Sequence, residues 1–284
     1  MKLHYWGTGA AEGIPSAFCN CKVCQEAREK GGRYVRGRSQ VMIDDELLVD
    51  FGADTYQNSL KAGYNLSQLG DVLITHTHED HYYPQELHNR QKGFCYDLKH
   101  QALTLHGSSS IVEKYYDYMA GNGQYLIDQG RVALSVMKPY EKYKIGNFEV
   151  IPLPATHGTV SPFVYVISKN GKTIFYLNDS GVLKQPVVDW LAKSGIKFDL
   201  VSYDCTMGMM DTYHDWGENA SHMGLPSVIM MRDKLKAAGV YKDDTVDIVT
   251  HFSHNGPKVG YGDFKPLAEK EGFILAYDGY KIEI

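Results

Sequence analysis

Thr75-His76-Thr77-His78-Glu79-Asp80-His81 follows directly on the apolar run Val72-Leu73-Ile74. The run reads as a strand over Val72–Thr75, so the donor-rich stretch begins where the strand stops. Four candidate ligands, His76, His78, Asp80 and His81, fall within six positions. Three imidazoles and a carboxylate this close would be costly to bury without partners. On a loop they offer borderline and hard donors suited to Zn²⁺, Mn²⁺ or Fe. Residues two apart in a turn can grip one ion, while Asp80 and His81 can face a second. The plain alternative, a solvated loop with chance histidines, leaves this density unexplained.

Outward from this stretch, short apolar runs recur along the chain. They predict strands over 2–5, 39–43, 46–50, 72–75, 103–106, 132–136, 148–152, 163–168, 173–178, 200–203, 246–250 and 273–277. Longer amphipathic patterns predict helices over 21–30, 110–118, 185–193, 225–238 and 261–270. Many strands with a few long helices imply sheets covered by helices, an α/β layered domain. Gly146-Asn147 and Asn170-Gly171 are hairpin turns, so the sheets are partly antiparallel. Gly7-Thr8-Gly9-Ala10-Ala11-Glu12-Gly13 is a poor dinucleotide fingerprint, because Glu12 stands where the third glycine belongs. A tight loop with close backbone packing accounts for it.

The chain has 284 residues, 43% hydrophobic and 22% charged, enough for one core, and no repeat or low-complexity linker divides it; a single domain over 1–284 is expected. No uncharged apolar window reaches membrane-spanning length, and Met1-Lys2-Leu3-His4-Tyr5-Trp6 lacks the apolar centre of a secretion signal. A cytoplasmic protein is expected, without membrane attachment. Twenty-nine basic residues against 34 acidic ones give a net charge of −5, which provides no global attraction to nucleic acid. Of five cysteines, Cys19, Cys21 and Cys24 lie within six residues, too tight for an ordinary disulfide framework. That spacing points to metal and a reducing compartment.

His76-x-His78-x-Asp80-His81 resembles the signature of the metallo-β-lactamase-fold hydrolases, and the resemblance extends over most of the chain. It implies a four-layer αββα sandwich and a two-metal site completed by residues after later strands. Positions in matching order are His157 in Pro154-Ala155-Thr156-His157-Gly158, Asp179 in Leu177-Asn178-Asp179-Ser180, and His251 in Val249-Thr250-His251-Phe252-Ser253. Carried over, His76, His78 and His157 would hold one divalent ion, Zn or Mn, and Asp80, His81 and His251 the other, with Asp179 bridging. Cys19-x-Cys21-x-x-Cys24 together with His254 looks like the subgroup containing the phosphoribosyl cyclic phosphate phosphodiesterase of the carbon–phosphorus lyase pathway. There three cysteines and a histidine hold a structural zinc. Three thiolates and one imidazole do form a closed tetrahedral Zn²⁺ site with no open position for water.

His222, in Ala220-Ser221-His222-Met223, matches a position where this subgroup carries a catalytic histidine that is not a ligand. His214 in Tyr213-His214-Asp215-Trp216 competes for the role. Asp50, in Val49-Asp50-Phe51-Gly52, falls on the family's aspartate-glycine element, where it would orient a ligand or loop. Cys95 and Cys205 stand alone and are expected to be buried and inert. His4, His88, His100 and His106 carry no motif, and the 21 tyrosines are expected to be mainly packing.

The resemblance implies hydrolysis, with water activated between two divalent ions, Asp80 and His222 in catalytic roles and no nucleophilic serine or cysteine. The leading expectation is a phosphodiesterase acting on a small cyclic or nucleotide-like phosphodiester. Hydrolysis of a lactone, thioester or β-lactam on the same site is the alternative. A third is a non-catalytic carrier akin to the pyrroloquinoline quinone biosynthesis relatives, which share the cysteine cluster. Partnership with nucleic acid is not expected, and a homodimer is left open.

Overall fold

The computed structural model describes residues 1–284. In chain order the first half forms β1 (Lys2–Gly7), α1 (Lys22–Lys30), β2 (Gln40–Ile43), β3 (Leu47–Val49), α2 (Thr55–Ala62), β4 (Asp71–Leu73), β5 (Leu103–Gly107), α3 (Ser110–Met119), α4 (Asn122–Asp128) and β6 (Val132–Val136). The second half forms β7 (Tyr143–Ile145), β8 (Phe148–Pro154), β9 (Phe163–Lys169), β10 (Lys172–Leu177), α5 (Gln185–Ser194), β11 (Phe198–Asp204), α6 (Thr212–Trp216), α7 (Leu225–Ala237), β12 (Tyr241–Thr250), α8 (Tyr261–Lys270), β13 (Ile274–Leu275) and β14 (Lys281–Glu283).

Two seven-stranded sheets result, ordered β14-β1-β2-β3-β4-β5-β6 and β13-β12-β11-β10-β9-β8-β7. Each is half antiparallel and half parallel: β3 to β6 run parallel in the first, β10 to β13 in the second. Alternation along the strands sends side chains to both faces, and both faces are buried. Val41, Val49 and Leu73 of the first sheet meet Phe148, Ile174 and Leu200 of the second in a shared middle core. On the outer face of the first sheet, Met42, Leu48 and Leu105 pack on Ile111, Tyr115 and Leu126 of α3 and α4. On the outer face of the second, Val166, Phe175 and Val201 pack on Ala27, Leu191, Val228 and Phe264 of α1, α5, α7 and α8. This is the four-layer αββα sandwich that the sequence leads one to expect, in one unit. No helix is long and apolar enough to cross a membrane.

Five elements lie outside the sequence expectation: β7, β14, α2, α4 and α6. The two strands are three-residue edge pieces with little burial, too short to show alternation. Helix α2 buries Thr55, Asn58 and Ser59 rather than apolar side chains, so it carries no apolar stripe to read. Its interior face is polar because Gln40 bonds to Thr55 Oγ1 and Asn58. The expected hairpin turns are present: Gly146 (φ 55°), Asn170 (φ 52°) and Gly171 (φ 76°) all take left-handed backbone. Tyr5, Tyr82, Tyr115, Tyr165, Tyr176 and Tyr203 are fully buried, as expected of packing residues.

Candidate metal centre

Ligands and catalytic groups in sheets of this kind gather outside the carboxyl ends of parallel strands. Here β3 leads into Asp50, β4 into His76–His81, β10 into Asp179, β11 ends at Asp204 and β12 leads into His251. His157 follows the antiparallel β8 at the same end of the sheet. Asp50, Asp179 and His251 each break their strand with a left-handed backbone, φ 69°, 50° and 64°. Non-glycine residues adopt this conformation at a cost that clusters at functional sites. Two glycines permit the closest approaches. A Cβ on Gly52 would lie 1.8 Å from Asp80 O, and one on Gly181 would lie 1.7 Å from Ala220 O. The first lets the Asp50 turn press against the histidine loop; the second seats the loop bearing His222.

The donor atoms of His76, His78, His157 and Asp179 lie within 4.8 Å of one another, as do those of Asp80, His81, Asp179 and His251. Asp179 belongs to both groups. His76 Nε2 is 2.9 Å from His78 Nδ1 and 3.2 Å from Asp179 Oδ2. His157 Nε2 is 3.2 Å from His78 Nδ1, and His81 Nε2 lies 3.1 Å from both Asp80 Oδ2 and Asp179 Oδ2. His76, Asp80, His81, Asp179 and His251 are buried, while His78 is exposed and opens the cluster to solvent.

Charge in this cluster calls for a cation. Burial works against ionising His81, yet Asp80, Asp50 and Asp179 together hold its pKa well above the ordinary imidazole range. Burial works against Asp179 as a carboxylate too, and His251, His76, His222 and His81 nonetheless keep its pKa well below normal. His76, without an equal share of negative neighbours, is driven well below its usual value by burial and by His81. Asp179 Oδ1 is buried and lies 3.1 Å from His222 Nδ1 without a properly directed hydrogen bond. An orphaned carboxylate oxygen among converging imidazole nitrogens fits a divalent ion. Such an ion would replace the protons now borrowed by the histidines.

Two carboxylates back the donors. Asp50 Oδ2 accepts from His81 Nδ1 at 2.7 Å, and its Oδ1 accepts from Thr75 N and Thr75 Oγ1, both at 2.8 Å. Asp204, which the sequence reading passed over, is fully buried and lies 3.2 Å from both His251 Nδ1 and His222 Nδ1. Burial opposes its ionisation, but hydrogen bonds from those two histidines bring its pKa down to about 2. The signal for it was an aspartate ending an apolar strand, as in Asp50. His222 stacks on His251 with ring centroids 5.8 Å apart, and Asp179 and Asp204 raise its pKa to about 11 against the effect of burial. His214 is exposed and bonds Asp211, away from the cluster, so of the two candidate histidines His222 is the one at the site.

A second donor group lies close by in sequence. Cys19, Cys21 and Cys24 meet His254, all donor atoms within 4.8 Å of one another. Cys19 and Cys21 Sγ each lie 3.5 Å from His254 Nδ1. Cys21 is the N-cap of α1, and burial is outweighed by the Cys24 N–H and the neighbouring thiols, which bring its pKa down to about 6. Burial and the adjacent Cys21 push Cys24 up to about 11. The lowered Cys21 thiol favours the thiolate form, and three thiols with one imidazole fit Zn²⁺. The other two cysteines differ: Cys205 is fully buried, whereas Cys95, against expectation, is only half-buried, because its thiol caps the Arg90 and Gln91 carbonyls at the edge of a surface turn.

The beta-lactamase superfamily domain matches residues 46–243, and the chain belongs to that superfamily. Nothing among the curated proteins matches it. Among solved structures, a diphosphatase from the PhnP family is 20% identical with a TM-score of 0.73, the match covering 100% of this chain and 97% of that one. Zn²⁺-bound PqqB from Methylobacterium extorquens is 17% identical with a TM-score of 0.76, covering 100% of each. The short form of human tRNase Z is 19% identical with a TM-score of 0.63, covering 100% and 99%. At these identities the likeness is one of fold.

Proposed function

We propose that the chain is a metal-dependent phosphodiesterase acting on a small cyclic or nucleotide-like phosphodiester. The observation that carries this reading is Asp179, shared by two donor groups and 3.1 Å from His222. His76, His78, His157 and Asp179 would hold one ion, Asp80, His81, His251 and Asp179 a second, and Cys19, Cys21, Cys24 and His254 a structural zinc within a domain over 1–284. Two divalent ions, when bound, supply a water acidic enough to deprotonate near neutral pH and positive charge for the oxygens of the ester.

The rest of the chemistry belongs to the chain. Asp50 accepts from His81 Nδ1, while His251 Nδ1 donates to Thr206 Oγ1, which in turn donates to Asp204; each arrangement fixes a ring's tautomer and turns Nε2 toward the centre. His222 Nδ1 bonds Asp204 and lies beside Asp179, leaving Nε2 to protonate the departing alcohol. The paired carboxylates keep that ring protonated, as a general acid requires. The resemblance to a PhnP-family diphosphatase and a tRNase supports phosphorus as the centre attacked. The reduced cysteine cluster favours a cytoplasmic setting.

Purified protein supplied with Mn²⁺ or Zn²⁺ tests the proposal against bis(p-nitrophenyl) phosphate, its monoester, a lactone and a thioester. The diester should turn over fastest, because the second ester removes ground-state charge from the phosphorus centre. Lactone or thioester turnover without diester turnover would overturn it.

A further inference from the structure

Away from the donor clusters, the outer face of the second sheet carries a groove of about 800 Å³. Its floor is a row of directly opposed residues across four strands, Lys144–Glu149–Ser168–Thr173. Elsewhere this face is apolar and covered by α1, α5, α7 and α8. Here the end of α5 stops short, and the row is left open. Lys142, Lys144, Lys169, Lys193 and Lys197 line the groove against one carboxylate, Glu149. Lys142 pairs with Glu149 at 3.0 Å and Lys169 with Asp44 at 2.8 Å. Lys144 and Lys193 have no carboxylate partner, and Lys197 spends one donor on the Gly239 carbonyl. In a chain of net charge −5, an excess of cations in one concave surface concentrates positive potential there.

The groove also has an aromatic wall. Tyr140 and Trp190 are half-buried, with ring centroids 5.5 Å apart and planes tilted by 49°. Cations along a groove beside aromatic rings that line it are the elements by which proteins take nucleotides: phosphate to ammonium, base to ring. The volume is that of a ligand site. The groove borders the hairpin turns at 146–147 and 170–171, whereas His157 and Asp179 follow the opposite ends of β8 and β10. The seven residues of β8 alone separate them by roughly 20 Å.

We propose that this groove is a second ligand site, distinct from the metal centre, for a phosphorylated base. Its phosphates lie against Lys144, Lys193 and Lys197 and its base against Trp190 and Tyr140. The base arrives either on a free nucleotide or at the end of a single strand.

The test titrates the metal-loaded protein with ATP, tripolyphosphate and (dT)₁₀ at low salt, following tryptophan fluorescence and, independently, calorimetric heat. ATP should bind saturably. A Lys144→Glu/Lys193→Glu double variant, both positions solvent-facing, should bind about tenfold more weakly or worse, while its turnover of bis(p-nitrophenyl) phosphate stays unchanged. Trp190→Phe should abolish the fluorescence change and retain the heat. Tighter binding of (dT)₁₀ than of ATP assigns the strand, and the reverse assigns the free nucleotide. Tripolyphosphate binding as tightly as ATP, unaltered ATP affinity in the double variant, or no saturable heat with ATP or (dT)₁₀ would each overturn the site. The binding readout does not depend on diester hydrolysis, so the two proposals fail separately.

Discussion

The two donor clusters share one segment of chain, His251 and His254 being three residues apart, yet they are built on different terms. The imidazole–carboxylate cluster is collected from the ends of four strands and backed by Asp50 and Asp204 after two more. The thiol cluster is collected from one loop and the start of α1, and its histidine has only Glu12 behind it, at 3.7 Å from Nε2. Hard donors need the rigid frame because carboxylates and imidazoles can be satisfied in many other ways; supporting hydrogen bonds decide which atom faces the ion. Soft thiolates bind zinc strongly enough to organise their own loop. The first cluster should therefore be a place where chemistry is lost without loss of fold, and the second the reverse.

The contrast is sharpest in single substitutions. Asp179→Ala and His76→Ala should each lower diester hydrolysis by about 10⁴-fold or more, with thermal melts near the native value. Cys24→Ser should instead lower the melting temperature by roughly 5–10 °C, through loss of zinc-linked folding energy. Equal melts for the Asp179 and Cys24 variants would collapse the distinction. Elemental analysis makes the same point by counting: three metals per chain, falling to two in Cys21→Ser, and the comparison breaks if that variant keeps its zinc and loses the other ions.

A smaller effect separates proton donation from charge support. His222→Ala should lower kcat by about 10²–10⁴-fold with metals retained, least for p-nitrophenyl esters, whose leaving group needs no proton. Equal losses on activated and unactivated esters would count against a general acid. Below that, Asp50→Asn should weaken metal affinity by about 10–100-fold, read by competition with a chromogenic chelator.

The slightest effect lies in the seam behind both clusters. Asp278 accepts from Gly37 N and Thr8 Oγ1, yet burial raises its pKa to about 6. The unfolded group titrates near about 4, so between about pH 4 and 6 the folded chain holds the extra proton. Its stabilising contribution is complete below that window and is lost as pH rises through about 6. Asp278→Asn should flatten this part of the melting profile, and an unchanged slope would remove Asp278 as its cause.

Legibility in the sequence followed chemistry more than packing. His76, His78, Asp80 and His81 were readable because no bland loop concentrates donors so densely, whereas His157, Asp179 and His251 were legible through the order that the family resemblance implies, each just past an apolar run. Asp204 ends such a run too, but Tyr203-Asp204-Cys205 offers no histidine or second carboxylate beside it, and the histidines near it come from segments 18 and 47 residues away. The helix α2 was hidden by its polar interior, and β7 and β14 by brevity. The lysine groove was invisible for another reason: its cations come from three separate segments, and their meeting depends on strand register, which composition does not report.

The left-handed backbone at Asp50, Asp179 and His251 carries one more consequence. An alanine at any of these positions inherits the strain without the donor, whereas a glycine is relieved of it, so each Gly variant should outlast its Ala counterpart by about 1 kcal/mol in a denaturant titration. Measured by folding alone, these positions favour a residue that can do no chemistry.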